Sequence, residues 1–494
     1  MPRLLALIGL LIGIVAWPIA AASDVLPDAE LSEAEQAEVD AMALPLPKPR
    51  LGDFDKMKEA RVVRFLVPHS KTLFFIDRGR QLGIEVELGT AFGDMLAKKY
   101  GKKPSPILVA FMPVPRDQLL PSLIEGLGDV AAGALTVTPE RQALVDFSDP
   151  YAKGVKEIVV TGPAAPALRS IDDLSGKEIH VRQSSSYYEH LVALSASLEA
   201  RGLPPIKLIP ADEDLEDEDL LEMVNAGLLP FMVVDRYKGH LWAQVFEDIE
   251  PRDDLIVNDG GDMAWAIRKG SPLLKAEIDE FVKTHKVGTT FGNILVKKYT
   301  KGTKYIQNAY SEEEMKKFQK TVDIFKKHAD TYNFDYLMLM AQGYQESGLD
   351  QSRKSPRGAV GVMQLLPSTA SDPSVGIPGI EKDPDANIQA GAKYLALLRE
   401  KYLDDPAIDE RNRTLMAFAA YNAGPGNLRK FRRLAEKSAL DPNIWFNNVE
   451  IAASRIVGRE TVQYVSNIYK YYVAYKLVDA RAAARDKSLQ EMQQ

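Results

Sequence analysis

The chain has 494 residues, a formal net charge of −8 and no cysteine. That length exceeds what one ordinary core serves, so two or three domains are expected, and the acidic balance argues against a nucleic-acid partner. The missing cysteine excludes disulfides, a zinc-finger site and a lipid anchor attached through that residue.

The first element is an export segment. Arg3 precedes "LLALIGLLIGIVAWPIAAA", residues 4–22, which ends in the small residues Ala20 and Ala22. A basic start, an apolar run and a small-residue end predict a signal peptide, 1–22, cleaved after Ala22. The run lies near the lower limit for crossing a bilayer, so a retained anchor is the alternative. Residues 23–60 are rich in Asp, Glu, Ala and Pro ("LPLPKPRLGDFD") and read as a linker or loosely packed arm.

From Arg61 the pattern changes. Short β-rich runs alternate with helical ones: residues 62–67, then "FGDMLAKKYG", "PILVAFMPV", "QLLPSLIEGLGD" and "VAAGALTV". Such alternation predicts a mostly parallel sheet with helical flanks. A second set opens at "EIVVTG" and continues through "EIHVRQSSSYYEHLVALSASL" to "PFMVVD" at Asp235. Residues 263–267, in "DMAWAIRKG", read as a hinge crossing back to the first set. Residues 61–300 are thus expected to form a two-lobed α/β module. Within it the acidic "DEDLEDED", residues 212–219, reads as a solvated turn, with a calcium site as the alternative. Residues 301–480 read as an all-α module. Ser311 and Glu314 fit a capping box at its start, and 481–494 read as a frayed charged tail.

The helical module carries the sharper chemistry. "GYQESGLD", residues 343–350, closes a helix that is apolar on nearly every side ("YLMLMAQ"). Glu346 lies seven residues after Leu339 and three after Gly343, on one helix face with both. Gly343 leaves room one turn back. A carboxylate in the last turn meets the negative end of the helix dipole, which disfavours its charge by ~0.3–1 kcal/mol. Burial acts in the same direction. Both favour a protonated general acid, although on this stretch alone a surface Glu near a frayed helix end is the preferred reading. Asp350 lies past the Gly348 break and reads as a cap. Three further stretches follow: "GAVGVMQLLPSTA" with Met363 and Gln364, "AFAAYNAGPGNL" with Tyr421 and Asn422, and "ETVQYV" with Tyr464. Singly, each reads as structural.

In this order, with "PDANIQAGAKYL" between them, these segments resemble the soluble lytic transglycosylase-like catalytic domain over about residues 334–472. The resemblance implies a lysozyme-like helical fold that cleaves peptidoglycan glycan strands between N-acetylmuramic acid and N-acetylglucosamine. It implies that Glu346 serves as both acid and base, closing a 1,6-anhydro ring without water. Ser347 should hydrogen-bond near the acid or the substrate, and Met363 and Gln364 should line the subsites. Tyr421 and Tyr464 should hold glycan and orient Glu346, while Asn422 shapes its turn. Neither metal nor cofactor is implied. A goose-type lysozyme-like hydrolase and a non-catalytic peptidoglycan-associated solute sensor stay open as alternatives.

In the α/β module, "EGLGDVAAGALTVTPERQALVDFSDPY" places Thr136, Thr138 and Arg141 after a strand, where they could close on a carboxylate. Taken alone, an Arg at a helix start reads first as a surface ion pair. Ser184, Ser185 and Ser186 sit at a helix N-terminus suited to an anion. These runs resemble the amino-acid-binding family of periplasmic solute-binding proteins. That resemblance implies that Asp235 takes a ligand's amino group and that Phe74 or Phe75 stacks on it. An amino acid or muropeptide effector is then expected, with a spacer domain as the alternative. The expected location is the periplasm, peripherally associated with the outer membrane.

Overall fold

The computed structural model describes residues 30–43, 49–70, 72–77, 80–101, 105–292 and 312–492. The expected signal peptide and Ser311 lie outside them. The architecture is α/β and two-lobed, followed by a helical module.

The first lobe is built on a five-stranded sheet in the order Leu108–Pro113, Val62–Val67, Val130–Ala131, Ala266–Ile267, Asp146–Phe147. The first three strands are parallel, and Ala266–Ile267 runs antiparallel to both its neighbours. Helices cover the sheet, which is why Val62–Val67 is buried from its second residue onward. Arg64, within that strand, is neutralised by Asp129 at 2.7 Å. Helix Ile84–Tyr100 carries Glu85 and Glu87 in its first turn and Lys98 and Lys99 in its last, matching its dipole. It packs Phe92 into an aromatic cluster with Phe65, Trp265 and Phe281.

The second lobe departs from the parallel expectation. Its main sheet, Phe231–Asp235, Ala152–Thr161 and Glu250–Met263, is antiparallel. Only the pair Glu178–Val181 and Lys207–Pro210 is parallel. The long strands Ala152–Thr161 and Glu250–Met263 lead from one lobe to the other, so they must run in opposite directions. The chain rejoins the first sheet between Met263 and Ala266, where the sequence placed the crossing.

The arm read into residues 23–60 contains packed structure instead. Glu33–Met42 is a helix opened by a Ser32–Glu35 capping box, and it buries Val39. Its acidic face meets the basic face of Pro425–Lys437: Asp40 pairs with Arg433 at 2.7 Å, and Lys430 reaches Glu35 and Glu38. Phe54–Ala60 seats Phe54 and Met57 in the first-lobe core. The charges resemble a solvated arm only while the distant helix is unknown.

In the helical module, Tyr336–Ser347 is the central element, packed between Glu312–Tyr332 and the last helix, Arg459–Met492. The last helix continues through the stretch read as a frayed tail, whose Ala, Arg, Lys and Gln content favours helix. Among the described residues, no helix is long and apolar enough to cross a membrane.

The acidic run 212–219 is not a solvated turn. It lies at the joint between the lobes and the helical module. Tyr469 donates to Asp212 at 2.5 Å, Arg411 pairs with Asp214, and a little further on Lys470 reaches Glu222 at 2.6 Å. On its other side Glu213 accepts from Ser184, Glu216 binds Arg116 at 2.7 Å, and Asp217 binds Arg182 and Lys238. Cations and hydroxyls from three directions draw this charge inward.

Candidate active site

Glu346 is the penultimate residue of its helix, which stops at Gly348 (φ +69) and turns through Leu349 (φ +59). Its Oε1 accepts a hydrogen bond from the Tyr464 hydroxyl at 2.6 Å. Tyr464 in turn accepts from Gln342 Nε2 at 3.1 Å. Burial pushes the Glu346 carboxyl up to about 7, and the Tyr464 hydrogen bond offsets only part of that rise. Among the described residues, no neighbouring charge contributes to the shift. The residue keeps partial solvent access. A neutral acid near pH 7, with a hydroxyl aimed at one oxygen, can give up a proton and then have its anion stabilised. Burial also holds the Tyr464 and Tyr421 hydroxyls well above the usual tyrosine range, reinforced by Glu346's charge, so both remain donors.

The loop opposite is held by its backbone. Met363 N donates to Asn387 Oδ1 at 2.8 Å, and Met363 O accepts from the Tyr421 hydroxyl at 2.8 Å. Asn387 Nδ2 also donates to Val360 O at 2.9 Å. Gly361 (φ +78) is required beside it, since a Cβ there would lie 2.3 Å from Asn387 Nδ2. Ser347 ties the two segments together: its hydroxyl donates to Val362 O at 2.8 Å and accepts from Asp350 N at 3.1 Å.

Several expected roles change as a result. Tyr464 touches Glu346, whereas Tyr421 braces the Met363 loop. Ser347 is buried and spends its hydroxyl on backbone beside the acid. The Met363 side chain is fully buried against Gly391. Gln364 is partly exposed, adopts a left-handed φ of +45 and braces its loop through Gly361 O and Arg353 O. Gly343 makes room for Phe325, whose ring would meet a Cβ at 2.8 Å, and not for a ligand. Asp350 closes a local turn on Ser352, as a cap residue should. Asn422 accepts from Thr461 at 2.8 Å and so joins two helices.

Gln342 and Asn387 were missed. A buried Gln one turn before the acid in an otherwise apolar helix was the available signal. Asn387, inside a helix that hides its partners, gave none.

Between the lobes, the predicted effector residues are all engaged by their own chain. Arg141 donates to Thr136 O at 3.0 Å and Ser184 O at 2.9 Å and pairs with Glu189 at 3.2 Å. Thr138 is the N-cap of Arg141's helix and Ser185 the N-cap of the next, so both serve backbone. Ser186 donates to Glu157 at 2.8 Å. Asp235 accepts from Tyr187 at 2.8 Å and pairs with Lys238 at 2.9 Å. The cavity there is about 50 Å³, room for a few waters. Phe74 is buried in the first-lobe core and Phe75 faces a cavity at the module joint, so neither stacks in this cleft.

Comparison with known proteins adds two family matches. Residues 323–444 match the Transglycosylase SLT domain, and residues 68–301 match the bacterial extracellular solute-binding proteins, family 3. The membrane-bound lytic murein transglycosylase F of Pseudomonas fluorescens is 31% identical over 444 residues, covering 85% of each chain. That of Desulfosudis oleivorans is 29% identical over 438 residues, covering 84% of this chain and 90% of its own. Among solved structures, an ancestral arginine-binding protein bound to arginine is 22% identical and covers 48% of this chain and 97% of its own, at a TM-score of 0.39.

Proposed function

The chain belongs to the membrane-bound lytic murein transglycosylase F family, and from that premise we propose that it cleaves the β-1,4 bond between N-acetylmuramic acid and N-acetylglucosamine with Glu346 as its single acid and base. The observation that carries this reading is the Glu346 carboxyl, pushed up to about 7 by burial and held by Tyr464 at 2.6 Å. Protonated Glu346 gives its proton to the glycosidic oxygen as the C1–O4 bond breaks. The Tyr464 hydroxyl stabilises the carboxylate formed at that moment. The carboxylate then takes the proton of the same sugar's C6 hydroxyl, whose oxygen bonds to C1 and closes the 1,6-anhydro ring. Protons balance and no water is consumed. An attacking group carried within the substrate gains the entropy advantage of proximity. Inverting and retaining hydrolases set a second carboxylate within about 5–9.5 Å; the only acid of the same loop, Asp350, is committed to its own turn. Digestion of purified sacculi with the full chain tests the reading: the expected fragments are lighter by one water than hydrolysed ones. Reducing-end products would favour the hydrolase, and an absence of cleavage the sensor.

The two-lobed module has a role of its own in this reading. It senses an amino acid or peptide released from the wall and adjusts the catalytic module. Support comes from residues 212–222, which touch the cleft through Glu213 and Asp217 and the helical module through Asp212, Asp214 and Glu222. Lys470 and Tyr464 share one helix, so movement of this segment reaches the hydroxyl on Glu346. Coupling requires a ligand that distinguishes two lobe arrangements. Cleavage rates on sacculi with and without saturating wall peptides test it, with Arg141→Ala as the control. The proposed location is the periplasm, at the outer membrane surface, after cleavage behind Ala22. Fractionation and N-terminal sequencing check both.

A further inference from the structure

The helical module carries a recess of about 250 Å³ away from its acid, against about 50 Å³ for the cavity between the lobes. It opens where helix Glu312–Tyr332 gives way to Tyr336–Ser347, beside the end of Pro384–Tyr402 and the start of Glu410–Ala423. Its walls include Tyr332, Asn333, Arg399, Glu400, Asp404 and Arg413. Glu346 sits at the far end of the helix that Asp335 caps, which places it roughly 16 Å along that axis at 1.5 Å per residue. None of these wall residues belongs to the arrangement around Glu346.

Two guanidiniums share the recess. Arg399 is 9% exposed, lies 4.4 Å from the centroid of the Phe334 ring, donates to Asn333 O at 2.9 Å and pairs with Glu410. Glu410 is itself 58% exposed, so solvent screens that pairing. Burial pulls Arg399 below its ordinary value, and the like charge of Arg413 acts in the same direction against Glu410. Arg413 Nη2 donates to Asp405 O at 3.0 Å and Ile408 O at 2.9 Å, while its Nε has no hydrogen-bond partner. The Arg413 fork thus has donor capacity that its present contacts leave unused. An anion beside both arginines offsets the burial and the repulsion together, and a planar carboxylate matches the guanidinium geometry.

The opposite sign comes from Glu400 and Asp404, both exposed at the recess. A purely anionic ligand meets those carboxylates, and a purely cationic one meets the guanidiniums. The group that answers both carries a carboxylate and an ammonium on one small frame. We propose that this recess is a ligand site on the helical module for an amino-acid head group, with its carboxylate on Arg399 and Arg413 and its ammonium on Glu400 and Asp404. Two sources present that head group: a free amino acid, and the diamino acid of a peptide still attached to a glycan strand. The second source rests on the reading of the chain as a peptidoglycan-cleaving enzyme. A strand held here as well as at Glu346 gains through effective concentration, so peptide-bearing strands bind more tightly than bare glycan.

Hydrogen exchange of the full chain, read by mass spectrometry, locates three probes: meso-diaminopimelate, pimelate, which lacks its ammonium groups, and cadaverine, which lacks its carboxylates. Meso-diaminopimelate should slow exchange in residues 329–334 and 396–413 and bind at least tenfold more tightly than either control. Glu400→Gln combined with Asp404→Asn, at two exposed positions, should weaken it at least tenfold. Protection confined to the lobes, no protection at all, or equal binding of either control overturns the site. The source is read from KM. A lower KM for peptide-bearing strands than for strands stripped of peptide, with the gap closed by the double substitution, assigns the site to the strand. A gap that the substitution leaves unmoved assigns it to the free amino acid. Exchange is measured without turnover, so a chain that binds the probe here and cleaves no sacculi refutes the enzymatic reading and leaves the site standing.

Discussion

Replacing Glu346 by Gln should abolish cleavage and at the same time stabilise the helical module at neutral pH. A carboxyl whose folded pKa is raised from 4.5 to about 7 holds its proton more tightly in the folded chain than in the unfolded one. Below the unfolded value both states are protonated and the group is neutral to stability. As pH rises toward 7, the unfolded chain releases its proton freely while the folded chain resists, so stability falls and stays lowered above the folded value. At about 1.4 kcal/mol per tenfold change in proton affinity, the full rise corresponds to about 3 kcal/mol. Part of the rise already acts at pH 5, and the partial exposure of Glu346 weakens the effect, which leaves about 2 kcal/mol between pH 5 and pH 8. Gln has the same shape, can still accept from Tyr464 and cannot ionise. Urea unfolding at both pH values, with hydrogen exchange of the Tyr336–Ser347 amides as a local reporter, should therefore show the advantage of Glu346→Gln growing by about that amount at pH 8. An equal gap at both values would mean a normally solvated carboxyl, and the argument for a neutral acid would fail. Near-normal cleavage by a folded Glu346→Gln would remove the catalytic assignment outright.

Tyr464→Phe removes the hydrogen bond that favours the ionised acid. The alkaline limb of the pH–rate profile should move upward by roughly half to one pH unit, with a lower kcat; an unmoved limb would place Tyr464 outside the acid's control. Ser347→Ala leaves Val362 O and Asp350 N without their partner and should cost about 1–3 kcal/mol of stability. Thermal melting should then track its loss of activity, with KM unchanged in the folded fraction; a raised KM would return Ser347 to the substrate. Lys470→Met strands Glu222 in the buried joint, where loss of one partner costs about 3–5 kcal/mol. Adding Glu222→Leu should recover most of that in a double-mutant cycle followed by melting and limited proteolysis, and strictly additive losses would deny the pairing.

The division into a two-lobed α/β module and a helical one was legible because it rests on local signals. Alternating β-rich and helical runs, glycine and proline stops and the ordered segments around "QESGLD" all act within a few residues. The placement of Glu346 at a helix end was legible for the same reason, since an acid at the glycine-stopped end of an apolar helix is a local pattern, while a proposed role for it came only from the other ordered segments. The partners of these residues were not. Tyr464 reaches Glu346 across 118 residues of sequence, and Lys470 reaches Glu222 across 248. Ser347 stands beside the acid and Met363 in the next ordered segment, yet packing turns both inward. Arg141 and Asp235 stood out as opposite charges suited to a zwitterion; only the folded lobes bring Glu189 against Arg141, whereas Lys238, three residues beyond Asp235, was a local partner left unread. The acidic run 212–219 and the N-terminal helix looked solvated for one shared reason: a charge pattern records what a segment carries, while its burial depends on whether a distant element arrives with the opposite sign. Local geometry is encoded in neighbouring residues, but pairing between remote charges is set by how the modules pack, and that is where the tertiary structure decided.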